Sequence, residues 1–583
     1  MHTVLHNKKE TGPALFWAGL LVCCAVAWSF HLVSFLHAKD LMLAMGLPVA
    51  AVWQYRTGRF TLEGFCRLGP LWLGMLFWCL SGLFTARVPS YLVENVIRWV
   101  MLLSAASLIL EAFRFRNGRL WLYHAFLLSG ALVGALALLQ YAGLAEAFLP
   151  RFPGYDQRAY SVFGNQDLLG GYMAFNLVLL LSLFLRDRRN TPRIVAAYTG
   201  VFALLLGALI ISSSRSAWLA AAAGIGCTVL LPGGWRRLRR VVKRRRRALL
   251  LLALAGAALL ATGAPQIYNR TAASFSTSDV GGRARLWFWA GAAQMIREHP
   301  WAGVGLGQYG YWSPSCQGQV LWRPGGERFF FNELHTEHAH SEPLDWLAET
   351  GVAGALFWLA FFLWTFKTRN PALPALAVLA VFACFNSFSH STPHMLAVLL
   401  PAALARPVPR CGETMPKVIG ACCALLAPAT LVLTVIVPSA LLCRAEQAHV
   451  AGKAWDGLYQ TAFRWPWPNY RAHENYGLAL LDSDLYDEAA AHLESALNGQ
   501  DTGHVYYLLT LCAVSRQDDE AALFYAGKCL LRWPGNAYAW SVLLERCPPG
   551  DVPAWTREKQ RFTNRAEYSA LPRGLGDTWR GIR

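Results

Sequence analysis

An all-α, polytopic transmembrane bundle of about 12–13 spans, followed by a small soluble helical-repeat domain, is the fold this sequence predicts. Three observations predict it. Of the 583 residues, 55% are hydrophobic and only 15% are charged, where a soluble chain of this size carries about 25% charge. Apolar runs close to the length of a membrane span recur along the first three quarters of the chain. Short, strongly basic loops separate them, as in Arg186-Asp187-Arg188-Arg189 and from Arg236 to Arg247.

Candidate spans cover 14–36, 39–55, 69–86, 91–112, 120–142, 167–185, 193–211, 214–231, 248–266, 343–366, 372–389, 393–406 and 417–441. The run after Met1–Glu10 lacks a clear small-residue cleavage site, so no cleavable signal peptide is expected. Placing Lys8 and Lys9 in the cytoplasm sends Arg56, Arg59 and Arg67 back to that side. Arg114, Arg116 and Arg119, the 186–193 and 236–247 clusters, Lys367 and Arg369, and Arg406, Arg410 and Lys417 follow. One-sided placement of basic loops is the orientation rule for inner-membrane proteins. It predicts that 142–166, 266–341 and everything after about Leu442 face outward, into the periplasm of a Gram-negative cell.

The net charge of +18 does not point to nucleic acid. It sits in loops between apolar runs, where it meets anionic lipid. Cys23, Cys24, Cys79, Cys227, Cys384, Cys422 and Cys423 lie in apolar runs and read as small hydrophobes. Cys316, Cys512, Cys529 and Cys547 lie outside the spans, where a disulfide among them stays open.

The expected division is a membrane domain over 1–442, with an external loop at 266–342, and a helical domain over 443–583. In the latter, Ala462-Phe463-Arg464, Ala496-Leu497-Asn498 and Leu530-Leu531-Arg532 recur every 34 residues. Arg464-Trp465-Pro466 and Arg532-Trp533-Pro534 sit two periods apart. That period is similar to tetratricopeptide helix pairs, which present a partner-binding surface. The alternative is a plain helical cap.

In the external loop, Gly282 to His299 is expected to form an amphipathic helix with Leu286, Trp289, Ala290, Ala293 and Ile296 near one face. Trp287 and Trp289 suit lipid headgroups. Pro300 stops the helix, and Gly303-Val304-Gly305-Leu306-Gly307 makes a tight turn. The loop ends in His335-Thr336-Glu337-His338-Ala339-His340-Ser341-Glu342. Pro343 then starts a span, which puts His340 at its external mouth. Histidines and glutamates this dense are metal-ligand types, but the paired spacing of zinc helices is missing. Arg215, in Ser212-Ser213-Ser214-Arg215-Ser216, and Arg283 are the candidate anion-binding residues; snorkelling or solvated charges are the competing readings.

Together these residues resemble the O-antigen ligase superfamily, which includes O-antigen ligases, some O-antigen polymerases and bacterial protein O-oligosaccharyltransferases. The resemblance rests first on His340-Ser341, nine residues, then Gly351-Val352-Ala353-Gly354. It extends to Gly282-Arg283-Ala284-Arg285-Leu286-Trp287 through Gly307, and to Ser213-Ser214-Arg215-Ser216-Ala217. Phe163-Gly164-Asn165-Gln166-Asp167 is similar to an earlier family segment, with Gln166 where a proline is usual.

The resemblance implies transfer of a glycan from undecaprenyl diphosphate to a lipid or protein acceptor at the outer face of the inner membrane. Arg215 and Arg283 would hold the diphosphate through forked donors. His340 would be the general base on the acceptor hydroxyl, or a cation on phosphate. His338 and Glu342 are its possible neighbours; His390 and His394, near the outer turn of a later hairpin, are candidates for lining the site, with a simple interfacial role the preferred reading. No metal or other cofactor is implied. A polymerase of the same chemistry is the first alternative. A transporter or assembly scaffold is the second; it calls for ionisable residues in mid-span. The main ones are Glu94 and Arg98, which are spaced to pair with each other.

Overall fold

The structure is a computed structural model that describes residues 2–58, 60, 63–115, 117–150, 158–187, 191–244, 246–273, 280–329, 336–366, 371–404 and 417–563. No strand occurs among the described residues. The helices of the apolar part are α1 (His2–Val26), α2 (Phe35–Arg56), α3 (Glu63–Arg67), α4 (Gly69–Thr85), α5 (Pro89–Ala112), α6 (Gly118–Tyr141), α7 (Gln166–Phe184), α8 (Pro192–Ile211), α9 (Arg215–Leu230), α10 (Gly234–Arg244) and α11 (Arg246–Ala273). Then come α12 (Val280–Glu298), α13 (Tyr309–Trp322), α14 (Glu342–Phe366), α15 (Leu373–Ala383), α16 (Thr392–Leu404), α17 (Lys417–Leu431) and α18 (Val437–Val450). Seven short helices follow: α19 (Asp456–Arg464), α20 (Tyr470–Leu481), α21 (Tyr486–Ala496), α22 (Gly503–Ser515), α23 (Asp519–Arg532), α24 (Ala537–Arg546) and α25 (Val552–Thr563).

This is the expected polytopic helical bundle, and every expected span overlaps a helix. Fewer of them reach full span length. Seven helices among the described residues are long and apolar enough to cross a membrane, or eight if the bent pair α9 and α10 counts as one. Helices α4, α15 and α16 are shorter, at 17, 11 and 13 residues. The expected run 14–36 breaks after Val26, and the Ser34 hydroxyl caps the next helix by accepting the Leu36 N–H at 3.2 Å. The run 372–389 stops at Ala383. Several basic residues used to orient the chain, including Arg59, Arg116, Arg188, Arg189, Lys367, Arg369, Arg406 and Arg410, lie outside the described residues.

Packing divides the chain into two compact units. The first comprises 1–76, 97–278 and 357–432; the second comprises 77–96, 279–356 and 433–583. The helices α4, α5 and α14 therefore contribute residues to both.

At the centre of the first unit is α7, whose residues from Leu168 to Phe184 are buried almost without exception. It packs on α6, α8, α9 and α15. A helix that is apolar all round belongs inside a bundle. Close approach needs small residues. At Gly224 of α9, a Cβ would lie 2.4 Å from the Val378 side chain of α15. Every residue of α16 is buried as well.

In the second unit, Ala284, Trp287 and Phe288 of α12 and Leu321 of α13 share one apolar core with Leu442 and Ala445 of α18 and the short helices α19–α25. The 34-residue landmarks Ala462, Ala496 and Leu530 are all interior, at 2%, 0% and 2% exposure. The repeat therefore marks the positions where consecutive helices meet. Cys316, Cys512, Cys529 and Cys547 are buried free thiols, not a disulfide pair.

Candidate active site

The glycines of the His340 motif have a backbone reason. The helix α14 is broken at Gly351, where φ is 65° and ψ is −170°, a conformation open essentially to glycine alone. The loop after Pro300 docks into that break. Val304 N–H donates to the Ala348 carbonyl, Gly305 N–H to the Glu349 carbonyl and Val352 N–H to the Pro300 carbonyl, each at 2.9 Å. A Cβ on Gly351 would sit 2.2 Å from the Trp301 carbonyl oxygen. The same loop is held at its other end by Gln308, whose amide accepts from Val88 N–H at 2.8 Å and donates to Val88 C=O at 2.9 Å.

His340 lies two residues before α14. Asp345 Oδ1 accepts the Ala339 N–H at 2.6 Å, and Asp345 N–H donates back to the Ser341 carbonyl at 2.9 Å. This reciprocal cap holds the turn that puts His340 at φ 53°, a region uncommon for side-chain-bearing residues and concentrated at functional sites. The half-buried imidazole stacks on Phe288 of α12, centroids 5.5 Å apart and planes 21° from parallel.

Phe288 is fixed in turn. Its carbonyl accepts the Tyr309 hydroxyl at 3.2 Å, and Tyr309 N–H donates to Glu349 Oε1 at 3.1 Å. Burial, then Asp345, Cys316 and Glu349, raises the Tyr309 phenol well above its usual range, so it stays a hydrogen-bond donor.

Of the two possible neighbours of His340, Glu342 is buried and accepts the Trp346 indole N–H at 2.9 Å. His338 is half-buried, with its N–H on Thr336 Oγ1 at 3.3 Å. His335 lies outside the described residues. Among the described residues no three metal-ligating side chains gather.

The expected amphipathic helix forms, and only part of the expected face is covered: Trp289 and Ile296 pack half-buried beside Ala292 and Met295. Ala284, Trp287, Phe288, Gly291, Ala292 and Met295 are the buried side of α12, while Leu286 is 52% exposed and Ala293 is exposed. Trp287 is not at a lipid interface. It is 3% exposed, and its indole N–H points to the Gln317 carbonyl at 3.4 Å. With apolar residues on both sides of α12, the packing partner decides which side is covered. Arg283 is half-buried in the first turn of α12, where free backbone N–H groups favour an anion.

Arg215 belongs to the first unit. It is the first residue of α9 and is half-buried. Before it, Ser213 takes a φ of 53°. Around it, polar residues from four chain segments converge. Ser214 Oγ donates to Asp167 Oδ1 at 2.5 Å, Gln266 donates to Ser213 Oγ at 2.5 Å, and Asn386 donates to Ser216 Oγ at 2.7 Å. The Arg215 guanidinium reaches the Arg270 carbonyl at 3.4 Å. Asn165 acts as the cap of α7, accepting from Asp167 N–H at 2.8 Å and Leu168 N–H at 3.1 Å.

Sequence reasoning missed Phe288, Tyr309, Gln266 and Asn386. The visible signal for Asn386 was a polar pair, Asn386-Ser387, between two short apolar runs. Phe288 and Tyr309 carried none. Glu94 and Arg98 do not pair with each other as expected. Glu94 accepts the Trp467 indole N–H at 2.7 Å, and Arg98 bridges to Asp40 at 2.8 Å. The His390 carbonyl accepts from Arg98. The His394 side chain is fully buried and bonds Ser391 Oγ at 2.8 Å, packed among Phe163, Tyr172, Phe382 and Phe388. It is a core residue.

No curated protein matches the chain. Residues 200–359, about a quarter of the sequence, match the model of a family described as O-Antigen ligase. The matched segment contains Arg215, Arg283, His340 and Gly351. With the long apolar helices, that match indicates a bacterial membrane protein of glycosyltransferase type, similar over 200–359 to O-antigen ligases.

Proposed function

We propose that this protein transfers a glycan from undecaprenyl diphosphate to a lipid or protein acceptor at the periplasmic face of the inner membrane. The observation that carries the proposal is the O-antigen ligase match over the segment that contains all three chemistry-bearing residues. In this reading 1–442 is the membrane transfer domain and 443–583 is periplasmic, with a cytoplasmic N-terminus. The tetratricopeptide-like helices then help to position the acceptor.

His340 takes the proton of the acceptor hydroxyl as its oxygen attacks the anomeric carbon. The new carbon–oxygen bond forms as the bond to phosphate breaks, and the electron pair leaves on the diphosphate. Direct displacement inverts the anomeric centre. Arg215 and Arg283 stabilise the departing charge through planar, forked donors, each at a helix N-terminus of the same sign. Their fixed cations supply the charge stabilisation without a metal. A histidine titrating near neutrality suits the proton transfer.

The test is the surface-glycan profile of a deletion strain carrying wild type or His340→Ala, with membrane insertion matched. Wild type restores transfer, and His340→Ala strands the lipid-linked glycan. Stranding of full-length chains identifies a ligase; stranding of single repeat units identifies a polymerase. Full restoration by His340→Ala would overturn the enzymatic reading.

A further inference from the structure

A second surface, in the first unit, gathers basic residues on one side of a short helix. The chain turns 86° between α9 and α10. Gly233, at φ 78°, allows the corner, and the Arg237 guanidinium closes it on the Pro232 carbonyl at 2.9 Å. If α9 runs along the membrane normal, α10 lies in the membrane plane.

The two sides of α10 differ sharply. Val241 is buried against Phe184, the last residue of α7, and Leu185 after it, and against Val195, Tyr198 and Phe202 of α8, and Leu238 is half-buried one turn earlier. At 100° per residue, Arg236, Arg239, Arg240 and Lys243 fall on the opposite side, and all four are exposed. Trp235 borders that side at 52% exposure, with the Arg239 guanidinium 5.1 Å from its ring.

Arg186, Arg193, Arg246 and Arg247 add exposed charge at the neighbouring helix ends. Asp187 is the only acidic residue between 181 and 250. A soluble surface mixes both signs; this one gathers a single sign on a helix glued down by its apolar side. A tryptophan beside the basic row is the composition of an interfacial helix.

We propose that α10 is a membrane-plane grip for the phosphate groups of anionic phospholipids, in the leaflet where α7 ends and α8 and α11 begin. Each basic residue held at such a surface contributes about a fivefold preference for anionic lipid. The grip is independent of the transfer chemistry, so it stands or falls apart from it.

The test uses the full chain in nanodiscs of mixed phosphatidylglycerol and phosphatidylcholine, with retained lipids counted by native mass spectrometry. Wild type retains phosphatidylglycerol preferentially, and the preference falls with added salt. The Arg236→Gln, Arg239→Gln, Arg240→Gln, Lys243→Gln variant loses at least about tenfold of it. Glutamine keeps the helix, and an unchanged unfolding midpoint establishes that the bundle is intact. A control neutralising four exposed basic residues of the second unit (Lys453, Arg464, Arg471 and Arg557) leaves the preference in place. Equal retention by the α10 variant, an equal drop in the control, or capture of a nucleic-acid oligomer in preference to lipid overturns the proposal.

Discussion

The His340 imidazole and the Phe288 ring lie face to face, 5.5 Å between centroids and 21° from parallel. The stack joins the start of α14 to the buried side of α12, so the orientation of the proposed base depends on a residue that does no chemistry.

Replacing Phe288 by Leu keeps the core apolar and removes the stack. Transfer is expected to fall about tenfold, the worth of an aromatic pair, with insertion unchanged. His340→Ala falls further, by roughly a hundredfold to ten-thousandfold. Rates measured on a lipid-linked glycan substrate separate the two; equal losses would mean that Phe288 does more than orient.

Asp345→Ala removes the acceptor for Ala339 N–H. The loss of a helix cap costs about 1 kcal/mol, and freeing the His340 turn lowers transfer as well. The pH profile of the remaining activity distinguishes repositioning of His340 from a simple stability loss. A changed apparent pKa supports repositioning, and an unchanged profile at reduced amplitude assigns Asp345 to stability alone.

Gly351→Ala forces a Cβ into the Trp301 carbonyl in a backbone region that other residues avoid. Strain of about 1–3 kcal/mol is expected, read as a lower unfolding midpoint of the detergent-solubilised protein. Gly457, which has open space around it in α19, is the contrast. Gly457→Ala leaves the midpoint unchanged or raises it, by up to about 1 kcal/mol in stability.

Arg215→Lys keeps charge and loses the fork. If forked recognition of a diphosphate is what Arg215 supplies, transfer falls roughly tenfold to a hundredfold, as for a lost charged hydrogen bond. Arg283→Lys should behave alike. Full activity in either lysine variant argues for a point charge or for no role.

The two imidazoles His473 and His492 share a hydrogen bond between their Nδ1 atoms at 3.0 Å. Burial, then His492, lowers His473 to about 4, and burial lowers His492 as well. The unfolded chain, with an ordinary value near 6.5, binds the proton first as pH falls. Stability from the pair is therefore complete above about 6.5 and lost progressively down to about 4. Once rates are corrected for the intrinsic pH dependence of amide exchange, the protection of α20 and α21 in the full chain should fall from pH 7 to pH 5. His473→Gln should flatten that dependence.

Hydropathy alone located the helices, because the length and apolarity of a span are properties of one segment. It did not reveal which of them stop short. The run 372–389 reads as one span, but its helix ends at Ala383, and Asn386 turns to meet Ser216. The motif spacing led to His340 and Gly351. The reason for that spacing lies in the docking of Pro300–Gly305 into the broken helix, which no local pattern encodes.

Chain chemistry was enough to point to a polytopic helical bundle, a 34-residue recurrence in the C-terminal part and three candidate residues. Tertiary packing alone chose the buried face of α12, gave Glu94 to Trp467 and Arg98 to Asp40, and set Phe288 against His340. The physical reason is the same in each case. Partition into a bilayer and helix periodicity are summed over neighbouring residues, whereas a face, an ion pair or a ring stack exists only when a distant segment arrives to complete it.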